Sequence, residues 1–179
     1  PEVRDFVNRL VDPSDILSTV VRAEGTVLGT LENPALHPAQ NRSGKGLSRI
    51  PAVNQRISVL FCSDDPVSSL IADDLLADLS QAGVACTLLA RSGSDYERAL
   101  IGRGFSIAIG WVPSIVDTDP AERVRLATLW FNGDIDEPAR IQRKEEIPLF
   151  SVRLYALCRK EVKFHGGSIT GLYVQETSK

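Results

Sequence analysis

"GRGFSIAIGWVPSIVDTDPAERV", residues 102–124, is the stretch on which the fold turns. Its apolar run, Phe105 to Gly110, has the length of a buried strand and ends on Trp111. Asp117, Asp119 and Pro120 follow. An aspartate directly before a proline marks a helix start, because its carboxylate accepts from the first unpaired N–H groups and proline's fixed φ suits the first helical position. The stretch therefore predicts strand, turn and helix, with "DPAERVRLATLWF" as the helix.

The same scheme repeats upstream. "RISVLFCSDDP" holds a strand-like run from Ile57 to Phe61, with Asp64 or Asp65 as cap and Pro66 as helix opener. "VSSLIADDLLADLSQAG" carries Val67, Leu70, Ile71, Leu75 and Leu79 at helical spacing, and Gly83 closes it. "VACTLLA" is a second strand, and "SDYERALIGRG" a short helix with Ser94 as cap and Glu97 in the capping-box position. Strand and helix in strict alternation predict right-handed crossovers and an α/β fold with a mostly parallel sheet flanked by helices.

Outside this middle region the signals differ. Val3, Phe6, Val7 and Leu10 form one helical stripe, and "VDPSDILSTVV" restarts a helix with Asp12 as cap and Pro13 at its first position. Residues 25–51 are rich in Gly, Pro, Asn and Ser and keep no period, which predicts an irregular loop. After Asn132 the chain is polar through Glu146. "IPLFSVRLYALCRK" then reads as one or two extended strands, and "EVKFHGGSITGLYV" as a Gly-Gly turn with another alternating stretch.

With 179 residues, 43% apolar and 24% charged, the chain fits a single domain with a substantial core. A formal net charge of −3 gives no electrostatic reason to expect nucleic acid or an anionic membrane. No run is long enough to span a bilayer, and "PEVRDFVNRL" is no signal peptide. Opening without Met, the sequence reads as a piece of something longer. Cys62, Cys86 and Cys158 sit among apolar neighbours and read as three buried thiols, one disulfide plus a spare being the other reading. Neither they nor His37 and His165 have metal-ligand spacing. No cofactor is implied: glycine-rich phosphate motifs and the G-x-S-x-G elbow are both missing. The pairs Asp64/Asp65 and Asp117/Asp119 have no partner acid or base that sequence alone can place opposite them, so no catalytic residue is named.

In an open α/β sheet ligands sit beyond the carboxyl ends of the strands. Two such ends are readable, Ser63–Asp65 after the first strand and Trp111–Asp119 after the third. Each has a bland reading as well: the aspartates as helix caps, Trp111 as core.

In order along the chain, these pieces resemble the C-terminal portion of extracellular solute-binding proteins of the oligopeptide/dipeptide/nickel type. "PEVRDFVNRLVDPSDIL" is similar to that family's helix pair with its Asp-containing joint. "SVLFCSDD…QAGVACTLLA…SDYERAL…GFSIAIGWV" is similar to its strand, helix, strand, tyrosine-bearing helix and Gly-Trp strand. "EEIPLFSVRLYALCRKEVKF" resembles its closing "iPlyfp..yalvrkdVkgf". The resemblance implies one lobe, residues 1–179, of a periplasmic-binding-protein type II fold, with residues 147–179 returning toward a first lobe outside this sequence. It also implies a peptide or other small solute bound between lobes, the membrane subunits of an ABC importer as partners, and a periplasmic or extracellular setting. The ligand-binding residues would be Trp111 as an apolar platform, Val112, Asp117 as the partner of the solute's ammonium group, and Asp119. Asp117 stands six positions after Trp111, farther than the family's usual three or so. The alternative function is a stand-alone α/β regulatory or interaction domain that reuses the lobe without transport. An enzyme ranks third, for want of a nucleophile–base pair.

Overall fold

A computed structural model describes residues 2–29, 56–114, 123–132, 146–154, 162–168 and 171–176. The chain enters through helix α1 (Glu2–Leu10), whose Phe6, Val7 and Leu10 are buried, as their spacing requires. Asp12 accepts from Ser14 N and Asp15 N and caps a single turn, α2 (Pro13–Asp15). A π-helical segment, Ile16–Val21, continues from it and ends at Arg22 in the left-handed conformation, φ 54°. Strand β1 (Gly25–Val27) then takes the first three residues of the expected irregular loop; positions 30–55 lie outside the described residues.

The centre of the molecule is a six-stranded mixed sheet flanked by helices, in the order β1-β6-β5-β4-β2-β3. Strand β2 is Ile57–Cys62 and β3 is Cys86–Arg91; they run parallel, joined by α3 (Pro66–Gln81). Helix α4 (Gly93–Gly102) leads to β4 (Ile107–Ser114), also parallel to β2. Gly83, at φ 74°, ends α3 in a backbone conformation that costs glycine nothing.

The next element corrects the sequence expectation. Instead of a helix over "DPAERVRLATLWF", residues Arg123–Trp130 form strand β5, antiparallel to β4, and β6 (Glu146–Leu154) returns antiparallel to β5. The sheet is therefore parallel on one side and antiparallel on the other, not mostly parallel. The cause is burial on both faces: Leu126, Ala127, Thr128, Leu129 and Trp130 are all buried, which suits a central strand and leaves no polar face for a surface helix. The D-P-A-E pattern at 119–122 lies outside the described residues, and from Arg123 onward tertiary pairing prevails over the helix it signals.

Alternation across β2, β4 and β5 divides the core. Ile57, Val59, Phe61, Ile107, Ile109, Ala127 and Leu129 pack with α1, the π-segment and α3. Leu60, Ala108 and Trp130 pack with Phe105 and, from α4, with Tyr96, Ala99 and Leu100. Leu70, expected in the α3 stripe, is 44% exposed and lies outside it. A register shift at Ala127/Thr128 pairs these residues with Phe150 and Pro148, leaving Leu149 as the extra residue of a β-bulge.

Strands β7 (Val162–Ser168) and β8 (Gly171–Glu176) form a separate antiparallel pair. It closes between Ser168 and Gly171, while the register slips between Phe164 and Gly167, so Gly166 and Gly167 do not form the expected turn. Cys62 and Cys86 are free thiols, half-buried rather than fully buried, and Cys158 lies outside the described residues. Burial raises the Cys86 thiol above its ordinary value. Among the described residues no helix is long and apolar enough to cross a membrane.

Candidate functional site

The parallel strands β2, β3 and β4 end along one rim, and the chain order there is decisive. From β2 it crosses outward to β3, then back past β2 to β4. The gap between β2 and β4 is thus a topological switch point, where an open sheet leaves a crevice. The pairing shows where the two strands part. Strands β2 and β4 are matched at Val59↔Ile107 and Leu60↔Ala108. Beyond that, β4 stays paired to β5 as far as Ser114↔Val124.

Side chains bridge the split. The Trp111 indole N–H donates to the Asp65 carboxylate across it. Asp65 is also the α3 cap, accepting from Val67 N and Ser68 N at 3.3 Å each and from the Ser68 hydroxyl. Three of these four donors converge on Oδ2, and Val67 N alone meets Oδ1. Its neighbour Asp64 turns the other way and accepts from Gly93 N at 2.9 Å. It thereby caps α4, where the expected Ser94 box does not form and Ser92 at the cap position makes no side-chain bond. Two consecutive aspartates thus tie the end of β2 to the starts of two helices.

Tyr96 closes the split from α4. Its hydroxyl donates to the Ile109 carbonyl at 2.7 Å, one residue past the last β2–β4 pair. Burial, with Cys62 and Asp65 as negative neighbours, raises the phenol well above its ordinary range. Gly110 lies between the two aromatic walls. A Cβ built there would fall 2.0 Å from the Trp130 ring and 2.7 Å from the Tyr96 hydroxyl. Only glycine lets β4 pass.

Trp111 itself is half-buried. Phe150 meets its ring edge-on, with centroids 6.1 Å apart, and the Arg125 guanidinium carbon stands 4.5 Å over the ring centroid. Arg125, on β5, comes from the segment expected to be helical. Its role was hidden because only strand pairing puts it near Trp111, opposite Pro113. The one sequence signal was the two-residue alternation in "RVRLATLW".

The other expected site residues fare unevenly. Val112 is half-buried and packs beside Leu28 and Leu126, in a cluster separate from the core against which Trp111 packs. As successive strand residues, Trp111 and Val112 face opposite sides of the sheet. Asp117 and Asp119 lie outside the described residues. The flanking strands end at Ser114 and begin at Arg123, both at this rim. Among the described residues no group of three or more His, Cys, Asp or Glu side chains is placed to hold a metal ion. Compared with known proteins, the sequence matches no family model and no curated protein.

Proposed function

We propose that the chain is one lobe of an extracellular solute-binding protein serving an ABC importer, with the β2–β4 crevice as its half of an inter-lobe ligand cleft. One observation carries the reading: a half-buried indole and an arginine stand together at the switch point of an α/β sheet, where such folds receive ligands. A peptide or other small solute would lie against this rim, and a second lobe would exclude water from its far side. A half-enclosed contact is weak, because charged and polar groups remain screened by solvent. Isolated chain is thus expected to bind weakly.

NMR of the ¹⁵N-labelled chain titrated with the tripeptide Ala-Phe-Ala tests this. Small, fast-exchange shifts concentrated at Ser63–Asp65, Gly93 and the Trp111 indole N–H are expected. Shifts centred on elements away from this rim, or no shifts with peptide in large excess, overturn it. A second reading has a specific observation in its favour. The indole N–H and both aspartates are engaged within the chain, as a packing joint of a stand-alone regulatory or interaction domain would have them. On that reading a protein partner, and no peptide, moves the same signals.

A further inference from the structure

Helix α4 is held far more lightly than α3. None of its ten residues is fully buried, whereas α3 buries Ser68, Ile71, Ala72, Leu75 and Leu79. It meets the sheet through Tyr96, Ala99 and Leu100, each only partly covered, and Ile101 is 79% exposed. The chain on either side is pinned. Before α4, the Arg91 carbonyl accepts from Ser63 N at 2.8 Å. After it, Phe105 is buried, and Ser106 and Ser58 exchange N–H to hydroxyl bonds at 2.9 and 3.1 Å. Short of that second pin stand Gly102 and Gly104, where a Cβ would meet nothing within 4 Å, with Arg103 between them at φ 53°. Packing demands neither glycine, so what they add is backbone freedom.

Two polar contacts offset this weak packing, and both lie in the first turn. Asp64 Oδ2 accepts from Gly93 N, and the Tyr96 hydroxyl donates to the Ile109 carbonyl. A helix this short is marginal by itself. Elements with few buried apolar contacts open well below the free energy of global unfolding. We propose that α4 opens as a unit of its own while the sheet stays folded, swinging on residues 102–104, with Asp64 and Tyr96 as its latch. Opening uncovers Leu60, Ala108 and Trp130 on the sheet face and releases the Asp64 carboxylate at the rim. The rim thus has two states, whether or not the chain serves transport.

Native-state hydrogen exchange on the ¹⁵N-labelled 179-residue chain tests this. The amides of residues 97–103 are expected to share one opening constant, about 100-fold or more above that of β2 and β4. Its dependence on urea should be shallower, because less surface is exposed. Ile71→Val, in the core on the α3 side, should speed β2 and β4 about fivefold and leave α4 unchanged. Asp64→Ala, which removes the cap, and Tyr96→Phe, which removes the hydroxyl, should each raise the α4 opening constant about fivefold. Unchanged circular dichroism verifies each variant's fold. Exchange of α4 in step with β2 and β4 in wild type, or its acceleration by Ile71→Val, overturns the proposal. So does an α4 opening constant that either latch variant leaves unmoved.

Discussion

The indole N–H of Trp111 and the carboxylate of Asp65 meet across the split between β4 and β2, so one side chain both caps α3 and latches the sheet. Loss of either partner is felt at two levels. Asp65→Ala removes the cap, about 1 kcal/mol, and a charge-assisted bond of about 1.5–3 kcal/mol. Urea unfolding should show a loss of about 2–4 kcal/mol with unchanged slope. Trp111→Phe keeps the cap and should cost less. The double variant should be less destabilised than the sum, because the shared bond is counted once. Strict additivity would show that the contact contributes nothing.

Gly110 allows no side chain. Gly110→Ala forces a methyl into the Trp130 ring and toward the Tyr96 hydroxyl. Overpacking of this kind costs about 3 kcal/mol or more, and the variant should either fail to fold or melt far below wild type in a thermal scan. Wild-type melting would mean that β4 shifts freely at this point.

Tyr96 gives the fold an alkaline limit. Burial keeps its phenol neutral above the ordinary pKa of 10.0, so in alkali the unfolded chain loses a proton that the folded chain retains. The stabilisation is complete below pH 10 and falls as pH rises beyond it, by about 1.4 kcal/mol per unit at most. Cys86, raised from 9.0 by burial, acts with the same sign from a lower pH. Melting temperatures from pH 8 to 11 should fall less steeply for Tyr96→Phe than for wild type, although that variant also loses the bond to Ile109. Parallel curves would assign the slope elsewhere.

Arg22 ends the π-segment at φ 54° and ψ 40°, where a Cβ is strained. Its only described side-chain bond is an exposed one to the Thr19 carbonyl at 3.2 Å. Arg22→Gly should therefore raise stability by about 0.5–1 kcal/mol in chemical denaturation. A loss would mean that the backbone here is not strained.

The parallel half of the sheet was legible because its signals are local. Asp12–Pro13 and Asp65–Pro66 are cap-and-opener pairs that begin helices as read, and Gly83 ends one. The antiparallel half was not legible. Asp119-Pro120 has the same form, yet Leu126–Trp130 beyond it are buried on both faces between β4 and β6, a fact written in pairing rather than in local preference. The site suffered the same loss. Trp111 and the Asp64/Asp65 pair stood out as types at a strand end, but their mutual bond joins residues 46 positions apart. Arg125 could not be placed at all until its segment was known to be a strand.

Strand β1 has a consequence for how the chain is made. Among the described residues it pairs only with β6, and Ser151 also bonds back to the Thr26 carbonyl, 125 positions upstream. A chain growing from its N-terminus therefore carries β1 unpaired until almost all of the described fold has been synthesised. Among the described residues, Gly25–Val27 are what pairs with the outer edge of β6 along Phe150–Val152. A side chain at Gly25, whose Cβ would fall 2.2 Å from the Ser151 carbonyl, would push β1 away and leave an edge free to recruit strands from other molecules, so the first thing lost would be solubility.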